Sequence, residues 1–149
     1  MSYKPQILEV ANGGTGASTL SGILSGAVQV LSKTTGIDAT AVGTTNLYTV
    51  PAATSAIVTG IVFRLTTLTA FVAAGNAGVG IAANEDDILG SSILDLGETT
   101  RFRYLVPTAP GSSGSTIALA TEVIKLGIDV GYTAGSAVMS VDLIGYLIA

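Results

Sequence analysis

The stretch that decides the fold runs from Glu122 to Ile148 and reads EVIKLGIDVGYTAGSAVMSVDLIGYLI. It contains two runs of alternating apolar and polar residues, separated by a turn segment between Gly131 and Gly135. Successive side chains of a β-strand point to opposite faces, so this alternation predicts strands with one face against a core. We expect the strands to span Glu122–Val130 and Ala137–Ile148 and to pair as a hairpin.

Shorter apolar runs bounded by turn residues extend the pattern towards the N-terminus. Ala56–Leu65 is apolar on both faces, as expected for a strand that is covered on two sides. Further strands are predicted at Asn46–Val50, at Arg101–Val106, and at Thr69–Ala74 and Ala77–Ala82, which would pair across Gly75-Asn76. No segment has helical periodicity. The predicted fold class is therefore all-β, a β-sandwich with a jelly roll as the expected arrangement.

The N-terminal region differs, because residues 11–36 contain six glycines and few large apolar residues. Each glycine costs about 1 kcal/mol in a helix interior, and so few apolar residues cannot form a separate core. We expect residues 1–38 to form an extended arm for assembly and residues 39–149 to form the sandwich. The predicted contact residues of the arm are Asn12, Gly13, Gly14, Thr15, Gly16, Leu20, Ile23 and Leu24, and the predicted subunit-packing residues of the sandwich are Ile57, Ile61 and Phe63.

Composition indicates a surface that is shared with other chains. The 149 residues suffice for one domain with an appendage, yet only 11 % of them are charged, against roughly 25 % in a typical soluble domain. A chain so poor in charge is expected to bury much of its exterior against partners.

Several classes of function are disfavoured. The net charge is −4 and the six basic residues are scattered, which argues against a nucleic-acid partner. No stretch supplies about 20 consecutive apolar residues for a membrane span, and the first residues lack the apolar core of a signal peptide. Assembly in a cytoplasm is therefore expected. The chain has no cysteine, and so no disulfide framework.

Catalytic chemistry has few candidate groups, because the chain also lacks histidine. We expect no enzymatic activity, no catalytic residues, no cofactor and no metal. The one acidic concentration, Glu85-Asp86-Asp87, is interpreted as a solvated connection between strands. A bound hard cation such as Ca²⁺, or a pair of glycosidase carboxylates, is the alternative.

Two further patterns have weak functional interpretations. Gly78-x-Gly80-x-x-Ala83 has the spacing of a dinucleotide-binding fingerprint, but carboxylates follow where a helix N-terminus is required. Arg101-Phe102-Arg103-Tyr104 alternates as an ordinary strand does, or it forms an aromatic and guanidinium surface for a sugar or a protein.

The segment Val10–Leu20, VANGGTGASTL, resembles the ANGGTGAST stretch of tailed-bacteriophage tail-fibre and other virion proteins. The remainder, from Asn46-Leu47-Tyr48-Thr49-Val50-Pro51 to Ile144-Gly145-Tyr146-Leu147-Ile148-Ala149, looks like the small β-sandwich domains of phage structural proteins.

This resemblance implies a virion component, usually a homotrimer, with no catalytic residues. On that basis, residues 39–149 are expected to be the trimerisation domain. Its partners would be the major capsid protein or other virion proteins. Two roles are consistent with it. A capsid decoration (cement) protein clamps neighbouring capsid subunits, whereas a tail-fibre or baseplate protein binds a host receptor. Compact length and few aromatic residues favour decoration, and the GGTG stretch favours the fibre.

Overall fold

The computed structural model describes residues 28–81, 84–107 and 117–149, with only the backbone described for 84–86. Nine strands lie in this part of the chain: β1 (Gln29–Asp38), β2 (Gly43–Thr49), β3 (Ser55–Thr69), β4 (Asn76–Ile81), β5 (Asn84–Ile93), β6 (Phe102–Leu105), β7 (Ile117–Ala118), β8 (Val123–Val130) and β9 (Ser136–Ile148). The described residues include no helix with the length and apolar character needed to cross a membrane. The prediction of an all-β fold is confirmed.

The strands form two antiparallel sheets that pack face to face. Sheet 1 has the order β1-β9-β3-β6, with β7 also paired to β3, and sheet 2 has the order β2-β8-β4-β5. Their inner faces bury a single apolar core, whose largest side chains are Phe63, Ile61, Leu65, Ile88, Leu94, Ile124, Leu126, Met139 and Leu143. The chain is a β-sandwich, as predicted.

A β-bulge in β3 changes which residues face this core. The pairing with β9 moves from Val58↔Gly145 to Gly60↔Ile144, which leaves Thr59 as an extra residue. One extra residue reverses the alternation of side chains. The core-facing residues therefore have even numbers before the bulge and odd numbers after it: Ala56, Val58, Ile61, Phe63 and Leu65.

This bulge corrects two of the predicted subunit-packing residues. Ile61 and Phe63 are 0 % exposed in the single chain, so they pack inside the subunit and form no part of an outward face. Ile57 precedes the bulge and lies half-buried on the outer face of sheet 1, opposite Tyr146. For Ile57, packing between subunits stays a prediction.

The two predicted hairpins are wrong, because the strands of each pair lie in different sheets. β8 belongs to sheet 2 and β9 to sheet 1, so residues 131–135 cross from one sheet to the other. Residues 70–75 make the same crossing from β3 to β4, where Thr69–Ala74 and Ala77–Ala82 were expected to pair. Residues 39–42 make a third crossing, from β1 to β2.

These three crossings stack on one another at the same end of the sandwich. The amide of Tyr132 donates to the carbonyl of Ala39 at 2.8 Å, and the amide of Thr133 donates to that of Ala73 at 3.0 Å. Gly131 lies so close to Thr40 that a Cβ at this position would overlap the Thr40 carbonyl oxygen. The connection 131–135 therefore lies between the other two connections. The strand order shows the same arrangement, because β9 lies between β1 and β3 in sheet 1 and β8 lies between β2 and β4 in sheet 2.

The sandwich begins earlier than predicted. β1 pairs with β9 from Gln29↔Gly145 to Asp38↔Val138, so residues 29–38 form an edge strand of sheet 1 and not a part of the arm. Pairing with β9 supplies the partner that this glycine-containing segment lacks on its own. The predicted arm contacts, from Asn12 to Leu24, lie outside the described residues.

Candidate assembly surface

The outer face of sheet 1 is the candidate functional site. Residues directly opposite each other in paired antiparallel strands lie on the same face. The registers of the five strands therefore place four rows of side chains on the side turned away from the core: Tyr146–Ile57–Ile117, Val30–Ile144–Gly60, Lys33–Asp142–Val62–Tyr104 and Ser140–Arg64–Phe102. An adjoining row, Asp38–Val138–Thr67, continues this side towards the connection 39–42 and ends in the exposed carboxylate of Asp38.

Much of this face is apolar and exposed. Phe102 is 65 % exposed, Val30 59 % and Tyr104 50 %, and Ile117 is also exposed. Ile144, which lies between them, is half-buried. With large side chains offering about 150–250 Å² each, the exposed fractions give an apolar patch on the order of several hundred Å². The largest apolar patch of a typical soluble protein is of this size and is often functional.

Tyr104 is fixed on this face by a glycine. Its ring lies next to Gly60, where a Cβ would overlap the hydroxyl end of the ring. Its hydroxyl donates to the carbonyl of Thr59 at 3.4 Å. The bulge that creates the extra residue thus also contacts the tyrosine, which remains 50 % exposed. A partner that packs on this ring would find it already ordered.

One ion pair lies among the apolar side chains. Arg64 Nη2 contacts Asp142 Oδ2 at 3.0 Å across β3 and β9. Asp142 is only 8 % exposed, and its second oxygen, Oδ1, has no hydrogen-bond partner among the described residues. Burying a carboxylate with only one paired oxygen costs free energy, and separating it from its arginine would cost more, because the charge would then be buried alone. Arg64 and Asp142 are therefore expected to stay together when the face is covered.

The pairing of β6 with β3 shows which side chains of residues 101–104 lie on the outer face. Phe102 and Tyr104 share the outer face with Arg64, whereas Arg103 donates to the carbonyl of Leu94 at 3.4 Å. Arg101 pairs with Glu98. Of the alternative interpretation, the two aromatic side chains do share a face, but the guanidinium beside them belongs to Arg64 of β3 and not to Arg101 or Arg103. The sequence could not show this, since it depends on the pairing of β3 with β6.

The acidic segment is not a connection between strands, because Glu85, Asp86 and Asp87 all belong to β5. The side chains of Glu85 and Asp86 lie outside the described part of the structure, which therefore does not test the alternative of a bound cation. Among the described residues, no three potential ligands cluster in a way that would hold a metal. Gly78 and Gly80 lie in β4, which β5 follows, so the fingerprint spacing has no helix beside it.

Comparison with protein-family models and with curated proteins gives no match. Among solved structures, the chain is similar to one in the capsid asymmetric unit of cyanophage Pam1, with 15 % identity and a TM-score of 0.53 over 82 % of this chain and 86 % of that chain. A chain of the acidic stable capsid structure of Helicobacter pylori bacteriophage KHP30 aligns with a TM-score of 0.48 and 7 % identity, over 82 % of this chain and 97 % of that one. At 15 % identity, the first likeness shows a shared fold.

Proposed function

We propose that this chain is a phage virion structural protein, a capsid decoration (cement) protein that acts as a homotrimer and clamps neighbouring capsid subunits. The observation that carries the proposal is the fold shared with a chain of the Pam1 capsid over 82 % of the residues. The resemblance of Val10–Leu20 to virion proteins is a second support, because it rests on the sequence and not on the fold.

The surface of the sandwich supports an assembly role. The outer face of sheet 1 exposes aromatic and aliphatic side chains where a solvated sheet would carry charges. Together with the 11 % charge of the chain, this favours a protein that works with much of its exterior covered. The partners are then other copies of the chain and the major capsid protein, with no nucleic acid and no membrane.

The clamp itself is assigned to the N-terminal residues. Because β1 begins at Gln29, the arm of the proposal shortens from residues 1–38 to residues 1–28. Fully extended, such a segment spans about 90 Å, enough to reach an adjacent subunit. Each arm needs to supply only a weak contact. Many such contacts add up on a capsid, because each arm is already held close to its binding site by the rest of its chain.

The arrangement of the sandwich proposed here is a jelly roll. The support is the strand order: each sheet has four principal strands, and β9 inserts between β1 and β3 just as β8 inserts between β2 and β4. Two Greek-key windings of eight antiparallel strands produce such insertions.

Binding to heads tests the proposal. The purified full-length protein is mixed with phage heads that lack it, and the heads are sedimented and then heated. Protein that acts as cement cosediments and raises the temperature at which the heads release DNA. Absence of cosedimentation, together with binding to host cells or to isolated tails, would overturn decoration in favour of the tail-fibre or baseplate role.

A further inference from the structure

We propose that the outer face of sheet 1 is the surface on which a second copy of this chain docks. The inference deepens the proposed function and rests on it, since it names the surface through which the copies of a homo-oligomer meet. It replaces the predicted packing of Ile61 and Phe63, which the core encloses.

The composition of this face is that of a protein interface. Interface centres are rich in Tyr, Phe and Arg and poor in Lys, Glu and Asp. The four rows carry Phe102, Tyr104, Tyr146 and Arg64 among aliphatic side chains. Their one carboxylate, Asp142, is 8 % exposed and paired with Arg64. The exposed charges of this face are Lys33, the partly exposed Arg64 and, in the adjoining row, Asp38, and most of its other side chains are apolar.

The area fits a partner of about the same size. A standard interface covers about 800 Å² on each partner, with an apolar centre and a polar rim. The apolar patch, of several hundred Å², supplies the centre, and Lys33 lies at its β1 edge.

Tyr104 is the expected centre of this contact. Gly60 and the carbonyl of Thr59 hold the ring in place before any partner arrives, so docking does not have to order it. Ordered tyrosines near the middle of an interface are typical of the few residues that dominate binding energy. The face of one copy would therefore bind the next mainly through this ring and the adjoining Ile57 and Ile144.

The test is sedimentation velocity of the full-length chain over a range of concentrations. Tyr104→Ala and Phe102→Ser remove exposed side chains from the face. Val42→Ser is the matched control, because Val42 is an exposed apolar residue at the crossing end. We expect the wild type to self-associate, the two face variants to associate at least tenfold more weakly, and the control to stay within twofold of the wild type.

Gly60→Ala is a second type of variant that leaves every exposed side chain present. The added methyl group displaces the Tyr104 ring from its seat. We expect weaker association here too, measured at a temperature where circular dichroism shows the variant folded. Because Phe102 lies on an edge strand and is largely exposed, its substitution keeps the test valid if Gly60→Ala does not fold.

Three results would overturn the inference. A wild type that stays monomeric at all concentrations has no second copy on this face. If the face variants associate as tightly as the control, the copies meet through another surface. The proposed function as a homo-oligomeric decoration protein would then still stand. Face variants that keep their oligomeric state but lose binding to heads assign the surface to the capsid protein. Failure of the wild type to bind heads at all would instead count against the proposed function.

Discussion

A single residue, Thr59, decides which side chains of β3 are buried. Strict alternation over Ala56–Leu65 places Ile57 on the same side as Ile61, and the bulge separates them. Nothing in the local sequence marks the bulge except Gly60, whose missing side chain makes room for Tyr104, a residue 44 positions further along the chain. Side-chain orientation after a bulge is therefore predictable only when the partner strand is known.

Tyr132 links residue chemistry to the stability of the crossings. Burial raises the pKa of its hydroxyl above the ordinary value of about 10, and the hydroxyl oxygen, beside the backbone of Leu96, has no hydrogen bond of good geometry among the described residues. Folding therefore favours the neutral form. The contribution of the neutral Tyr132 hydroxyl to the free energy of unfolding is therefore fully present below pH 10, the unfolded-state pKa. It is lost as the pH rises through the folded-state pKa, because the hydroxyl ionises first in the unfolded chain.

We expect Tyr132→Phe to change the free energy of unfolding at pH 7 by no more than about 1 kcal/mol, since the lost hydroxyl leaves no partner unpaired. Between pH 9 and pH 11 the variant should lose less stability than the wild type. Urea unfolding at each pH measures this difference. Equal losses in both proteins would show that the hydroxyl is solvated.

At the scale of the element, strands were predictable and their partners were not. Alternation predicted Glu122–Val130 and Ala137–Ile148, and the strands span Val123–Val130 and Ser136–Ile148. An alternating pattern shows that one face of a strand is buried. Strands of both sheets of a sandwich have one buried face, so the pattern does not show to which sheet a strand belongs. A five-residue connection fits a hairpin as well as a crossing, and only the hydrogen bonds to Ala39 and Ala73 distinguish the two.

The stacked crossings depend on Gly131. A methyl group at this position would overlap the carbonyl oxygen of Thr40. This oxygen belongs to the backbone, so it cannot move aside as the end of a flexible side chain could. We expect Gly131→Ala to lower the free energy of unfolding by about 3 kcal/mol, at the upper end of overpacking costs. Gly90→Ala is the control, because a Cβ at Gly90 meets nothing within 4 Å. Thermal or urea unfolding that gives equal stabilities for the two variants would contradict the close packing of 131 on 40.

At the scale of the whole molecule, composition predicted an exterior that is covered by other chains, and the structure places an exposed apolar surface on one sheet. The boundary of the arm was wrong by ten residues, because β1 is short of apolar side chains and is held by its long pairing with β9. Long-range pairing of this kind leaves little trace in the local pattern. Low charge predicted a shared surface, and the strand registers show that Val30, Phe102, Tyr104 and Ile117 lie on one face of sheet 1.

The central claim is that the protein sits on the outside of the capsid. Cryo-electron microscopy of intact virions tests it most directly. The account predicts density for three copies of the sandwich around local or true three-fold axes of the head, with the outer faces of sheet 1 turned towards one another. Density that fits this sandwich at the tail or baseplate, with none on the head, would contradict it.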